Sequence, residues 1–192
     1  MARRPIKRTK QKIKKWYEVV APELFEEKTI SEIPGVDDKS LLNRVVKMSL
    51  ADITGKFDEN GLYTNVWLQI DAVNGNRALT RIKGYEMMRS YVKTVVRRRR
   101  TTVDDVFNIK TKDNVLLKIK PIIITAHRVS RSAQTGIRLA VRETAKKLAS
   151  EKSFNEVMKA LLFGLFANEL KNTAKKIVPI DRAIVRRVDV MK

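Results

Sequence analysis

Residues 66–82 read VWLQIDAVNGNRALTRI, and this stretch predicts a β-hairpin. Val66, Leu68 and Ile70 alternate with residues that suit a more polar face, which is the period of a strand that buries one side. Residues 74–76 (NGN) then supply an Asn-Gly pair, the dipeptide that best suits a tight turn between antiparallel strands. A second strand follows the turn, so we expect an antiparallel sheet.

Other parts of the chain show the same period of two. Strands are predicted just before Pro22, at residues 46–50, in a hairpin over residues 103–125 and at residues 184–190. Within that hairpin, apolar residues take every second position from Val115, so Lys118 and Lys120 point together from the opposite face. Residues 34–38 (PGVDD) are predicted as part of a loop.

Helical spacing follows the first hairpin. The apolar face of a helix over residues 85–98 consists of Met88, Tyr91, Val92 and Val95. A longer helical region, residues 132–176, holds two helices, and the second opens at Ser153 with the Ser-x-x-Glu spacing of a capping box. We expect Leu165 on the buried face of this second helix, and Pro179 ends the region.

These elements predict one domain of the α+β class over residues 16–192, with basic tails. Residues 16–83 and 103–125 are rich in strands, residues 85–98 and 132–176 are helical, and a terminal strand covers about residues 184–190. Residues 1–15 stand apart, because they hold eight basic residues and no acidic one. This composition predicts an N-terminal RNA-binding tail rather than part of a core.

Charge narrows the class of partner. The chain has 41 Lys and Arg against 21 Asp and Glu, a formal net charge of +20 over 192 residues. Repulsion among this many like charges is relieved when a polyanion binds. Nucleic acid fits better than a membrane, because no apolar run is long enough to span a membrane and no signal peptide is visible. Without cysteine there is no disulfide or thiolate site, and we expect a cytoplasmic protein.

Residues 97–100 (RRRR) follow the first predicted helix. At 100° per residue four consecutive arginines would point all round a helix, so the helix must end near them. One cation suits the negative end of the helix dipole, but that interaction does not explain four. Further basic clusters lie in the tail, at residues 127–142 and at residues 182–187, and such a distribution fits phosphate contacts over an extended surface.

Catalytic signatures are weak. His127 is the single histidine and lies among basic residues, so contact with RNA or a plain surface position explains it better than catalysis. Asp104 and Asp105 suggest a two-metal nuclease, but neighbouring residues of a strand point to opposite faces. Trp16 and Trp67 can each either pack in the core or stack on a base. We predict no enzyme activity, no metal and no cofactor.

Several segments resemble one known family. They are KKWYEVVAPELF (residues 14–25), VVKMSLADI (residues 45–53), RIKGYEMMRSYVKTVVRRRRTTVDDVFNIKTKDNVLLKI (residues 81–119) and KKIVPIDRAIVRRVDVMK (residues 175–192). In this order they are similar to the archaeal and eukaryotic small-subunit ribosomal protein family called S-three-A-e or S-one-e. Eukaryotic members extend beyond the last strand, so the resemblance suggests an archaeal member.

The resemblance implies an antiparallel, β-barrel-like part flanked by helices, with residues 16–192 as an rRNA-binding domain, and a structural constituent of the small ribosomal subunit. Its implied partners are small-subunit rRNA on the platform, neighbouring small-subunit ribosomal proteins and mRNA near the exit region, with no membrane or small-molecule substrate. The predicted RNA contacts are Arg3, Arg4, Lys7, Arg8, Lys10, Lys12, Lys14, Lys15, Trp16, Arg97, Arg98, Arg99, Arg100, Lys118, Lys120, His127, Arg128, Arg131, Arg138, Arg142, Arg186 and Arg187. A stand-alone RNA-binding regulator is the alternative, followed by a basic nuclease.

Overall fold

The computed structural model of the protein describes residues 13–191. The strands are β1 (Lys15–Val20), β2 (Thr29–Gly35), β3 (Val45–Ser49), β4 (Thr64–Asn74), β5 (Arg77–Met87), β6 (Thr102–Asp104), β7 (Phe107–Lys110), β8 (Leu116–Thr125) and β9 (Ile180–Met191). The helices are α1 (Asp38–Leu41), α2 (Leu50–Thr54), α3 (Glu59–Tyr63), α4 (Arg89–Val95), α5 (Arg131–Glu151), α6 (Phe154–Leu162) and α7 (Leu165–Lys175), with a 3₁₀ turn at Glu23–Phe25.

All nine strands of the described chain belong to one sheet, and the predicted α+β class is confirmed. Strand β5 is central: β4 pairs along one edge, while β1 and β9 share the other. Strand β8 pairs with β9, and β6 and β7 follow one another along its far edge. Over the described residues the sheet is mixed, because β1 and β5 run parallel. Within that range it is not closed into a barrel, because the outer strands β2, β3, β6 and β7 each pair with one neighbour only.

The two faces of the sheet differ in what covers them. Helices α5, α6 and α7 pack on one face, where Ile137, Val141 and Leu170 meet strand residues such as Leu117 and Val188 in the main core. On the opposite face, α4 covers the β8–β9 end. Elsewhere on this second face the side chains of β4, β5, β8 and β9 are exposed or partly exposed, and we call it the open face.

Helix α4 covers one end of the open face through the predicted apolar residues. Tyr91 and Val95 are buried in a cluster with Ile122 and Ile124 of β8 and Ile184 of β9. The alternation along β8 places Lys118 and Lys120 on this same face, beyond the region that α4 covers. The prediction that both lysines point together is therefore confirmed.

The predicted start of the helix over residues 85–98 was wrong. Residues 84–87 belong to β5 rather than to α4, which begins at Arg89. Gly84 has φ 155°, and a Cβ built on it would lie 2.2 Å from the Val188 carbonyl oxygen. This close approach joins β5 to β9 and leaves Tyr85 buried in the main core. Cross-strand packing thus extends the strand into a segment where side-chain spacing indicated a helix.

Two further predictions were wrong. Residues 29–35 form β2, an edge strand pairing with β1, and Pro34 is tolerated because its missing N–H needs no partner at an edge. The second predicted helix is divided by Gly164, whose φ of 78° is left-handed. The break shifts the phase of the helix, so Leu165 is 62% exposed while Phe166 is buried. The capping box at Ser153 is confirmed.

Candidate nucleic-acid interface

The predicted tail lies mostly outside the residues that the structure describes. Arg3, Arg4, Lys7, Arg8, Lys10 and Lys12 lie outside the described residues. Lys14, Lys15 and Trp16 are exposed at the start of β1, and 61% of the Trp16 surface is accessible. Trp16 therefore is not a core residue, and its indole is available to a partner.

The four arginines form the connection from α4 to β6. Helix α4 ends at Val95, before the run, as the sequence predicted. Arg97, Arg98 and Arg99 are exposed, and Arg99 takes a left-handed φ of 63°. Arg100 is half-buried and forms an ion pair with Asp181 at the start of β9. Three of the four thus face solvent, while the fourth joins two elements of the fold.

Hydrogen bonds of Thr101 hold a second basic cluster, residues 127–128, beside the connection from α4 to β6. The Thr101 N–H donates to Thr125 Oγ1 at 3.1 Å, and the Thr101 Oγ1 accepts from the Val129 N–H at 3.1 Å. Because Thr125 and Val129 flank residues 127–128, the loop that enters α5 is held next to the arginine run. We call the exposed set the arginine-turn surface: Arg97, Arg98, Arg99, His127, Arg128 and Arg131. No ion pair joins any of them to another described residue.

Arg138 and Arg142, one turn apart on α5, contact the connection between β6 and β7. The Arg142 guanidinium donates to both carboxylate oxygens of Asp105 at 2.6 Å, and Arg138 Nε donates to the Asp104 carbonyl at 3.2 Å. Burial opposes ionisation of Asp105, but the bonds from Arg142 and the Val106 N–H, with the charge of Arg138, lower its pKa below the ordinary value. The two arginines therefore hold this connection on α5.

The same geometry bears on the two-metal alternative. The Asp105 carboxylate is paired with the Arg142 guanidinium, and this positive charge opposes the binding of a metal cation beside it. Among the described residues, no group of three or more His, Asp or Glu side chains is placed to hold a metal ion. No helix in the same part of the chain is long and apolar enough to cross a membrane.

The open face carries an aromatic and charged cluster. The Arg187 guanidinium carbon lies 4.4 Å from the ring centroid of Trp67, a cation–π distance. Arg187 Nε also donates to both oxygens of Asp189, at 2.9 and 3.0 Å, and Lys120 Nζ lies 3.7 Å from the same carboxylate. Trp67 is partly exposed, so it stands on the polar side of β4 under a protein cation rather than in the core.

Two cations that the sequence reasoning missed lie at the border of the open face. Arg89 and Lys93, four residues apart on α4, line a cleft of about 400 Å³ together with Lys120, Arg186 and Arg187. Their i, i+4 spacing, opposite the apolar face of the helix, was the signal that could have identified them. Three of the predicted RNA contacts, Lys120, Arg186 and Arg187, therefore lie together in the cleft. The length of α4 separates this cleft from the arginine-turn surface.

Comparison with known proteins gives a consistent result. The model of the Ribosomal S3Ae family matches residues 3–192. A protein of Desulfurococcus amylolyticus named small ribosomal subunit protein eS1 is 38% identical over 189 residues, which cover 98% of this chain and 85% of that protein. Proteins of the same name from Saccharolobus islandicus and Saccharolobus solfataricus are 34% identical over 183 residues, covering 95% of this chain and 87% of each relative.

Proposed function

The chain belongs to the Ribosomal S3Ae family, and from this premise we propose that it is a structural constituent of the small ribosomal subunit that binds its rRNA. Relatives that match nearly the whole chain carry the name small ribosomal subunit protein eS1. The proposal includes the absence of enzyme activity and residence on cytoplasmic ribosomes.

The arginine-turn surface is the observation that carries the proposal. It gathers five exposed arginines and His127 from two separate parts of the chain, and none of them forms an ion pair with another described residue. Ordering so many like charges side by side is unfavourable unless a polyanion lies against them. Arginine predominates there, and its planar fork matches the oxygens of a phosphate group.

The finer elements of the proposal come from the family resemblance. They are binding on the platform near the mRNA exit region, contact with neighbouring small-subunit proteins and contact with mRNA near that exit. The exposed Trp16 beside Lys14 and Lys15 supports an RNA contact, because an accessible indole can stack on a base while the lysines approach the backbone.

Sedimentation tests the function directly. Tagged protein expressed in an archaeal host should sediment with the small subunit through a gradient and remain there after a wash that removes loosely bound factors. Purified protein should bind small-subunit rRNA with an affinity that falls by roughly 10³ to 10⁵ between about 50 and 200 mM salt, given about six to ten phosphate contacts. Exclusive recovery at the top of the gradient, bound to a few particular RNAs, would instead indicate a regulator.

A further inference from the structure

The cleft between α4 and the open face has an unusual construction in β9. The pairing of Lys120 with Arg187 is followed by that of Pro121 with Val185, so Arg186 is an extra residue in β9. A β-bulge of this kind changes the alternation of side chains along the bulged strand. Val185 and Val188 both lie in the main core, which leaves Arg186 and Arg187 together on the open face. Both arginines line the cleft.

The charges around the cleft are not balanced. Five cationic side chains and one carboxylate line it: Arg89, Lys93, Lys120, Arg186, Arg187 and Glu86. Lys120 and Arg187 share Asp189, and Arg187 Nη1 lies 4.0 Å from Glu86. Arg89, Lys93 and Arg186 form no ion pair within the described part of the chain.

A second cleft, at the other end of α4, provides a contrast. Arg97, Arg100 and Arg182 line it with Glu59 and Asp181, and two of these three cations have acidic partners: Arg100 pairs with Asp181 and Arg182 with Glu59. The Glu59 carboxylate accepts from Arg182 at 3.0 Å, and this bond lowers its pKa. In the cleft at the β9 bulge, by contrast, three of the five cations have no acidic partner among the described residues.

We propose that the cleft at the β9 bulge holds a backbone phosphate of RNA, with Arg89 and Arg186 as forked donors and Lys93 as an additional charge. This inference rests on the proposed rRNA binding and identifies a specific site for it, separate from the arginine-turn surface. Arg89 on α4 and Arg186 on β9 line the cleft from two different elements, and the planar fork of each guanidinium group matches the oxygens of a phosphate group. Asp189 keeps Arg187 and Lys120 in place beside the phosphate.

The test separates the effect of the positive charge of Arg89 and Arg186 from the effect of their forked guanidinium geometry. Arg89→Gln with Arg186→Gln should weaken binding to full-length small-subunit rRNA by about 10- to 100-fold and reduce the salt slope by about one to two. Arg89→Lys with Arg186→Lys keeps the charge, so the slope should stay nearly constant while affinity falls by about 3- to 10-fold. Lys175→Gln with Lys176→Gln, on the exposed end of α7, is the control and should change affinity by less than about 3-fold. Urea unfolding midpoints should be unchanged throughout.

The outcomes distinguish failure of the proposed phosphate site from failure of the proposed rRNA binding. If the lysine variants bind like the wild type, or the glutamine variants bind like the control, the cleft is not a phosphate site even though rRNA binding stands. If the wild type shows no preference for small-subunit rRNA, the proposed function fails, and the cleft is then tested with a short oligouridylate. Saturable shifts of the Arg89 and Arg186 Nε–H signals would support the site. Unshifted signals, or stronger shifts with polyglutamate, would overturn it.

Discussion

Replacing Arg142 should destabilise the fold rather than weaken RNA binding alone. Its guanidinium makes two bonds of 2.6 Å to Asp105, whose side chain is 8% exposed. In Arg142→Gln this carboxylate keeps the Val106 N–H at 2.9 Å but loses its main charge partner. The cost should exceed the roughly 0.2 to 1 kcal/mol of an exposed pair but stay below that of a fully buried one, because the Arg142 side chain is 43% exposed. We expect about 1 to 3 kcal/mol, or a melting temperature lower by roughly 2 to 12 °C.

Urea unfolding of a double-mutant cycle measures this interaction. Arg142→Gln, Asp105→Asn and the double variant should give a coupling energy of about 1 to 3 kcal/mol. Arg81→Gln is a matched control, because its partner Asp71 is 3.5 Å away and both side chains are about half exposed. It should cost less than about 1 kcal/mol. If Arg142→Gln costs no more than Arg81→Gln and only rRNA binding suffers, Arg142 is a binding residue and the structural role is refuted.

The remaining predictions concern pH, Gly84 and Trp16. The pKa of Asp105 is lower in the folded protein than in the unfolded chain, so its contribution to the unfolding free energy is complete above the unfolded pKa of about 3.9 and is lost as pH falls through the folded pKa. The difference in unfolding free energy between wild type and Asp105→Asn, measured with urea, should therefore shrink below about pH 4. A difference that stays constant with pH would contradict this. Gly84→Ala should cost more than about 3 kcal/mol in the same assay, whereas Gly75→Ala, which meets no atom within 4 Å, should cost about 1 kcal/mol. Trp16→Ala should change the unfolding free energy by less than about 0.5 kcal/mol, because the indole is exposed. The same variant should weaken rRNA binding by about 1 to 3 kcal/mol in a filter-binding assay. A large loss of stability would show that the indole is packed.

Elements specified by local chemistry were predictable. The β4–β5 hairpin depends on residues 74–76 and the alternation before them, and the start of α6 depends on Ser153 and Glu156, three residues apart. The end of α4 before residues 97–100 also follows from local chemistry, because four consecutive arginines cannot share one helix face. In each case the deciding residues lie within one turn or one strand of each other.

Features that depend on distant partners were not predictable. The bulge at Arg186 exists only in relation to β8, and its cleft also requires Arg89, which is far away in the sequence. Likewise, the Asp105–Arg142 pair joins residues 37 apart. Composition could identify a basic surface, but it could not tell which arginines face a carboxylate of the same chain. That distinction needed the tertiary structure.

The arginines of this protein therefore have two physical roles that mutation can separate. Acidic residues lie beside cations where elements meet, as Asp181 does with Arg100 and Asp105 with Arg142, so these pairs reduce repulsion inside the fold. The excess cations that produce the net charge of +20 include the five arginines of the arginine-turn surface and the unpaired side chains of the cleft at the β9 bulge. Loss of a paired arginine should leave a carboxylate unpaired and cost stability, whereas, under the proposed rRNA binding, loss of an unpaired one should relieve repulsion and cost affinity. Stability and rRNA affinity should consequently vary independently across an arginine-to-glutamine series.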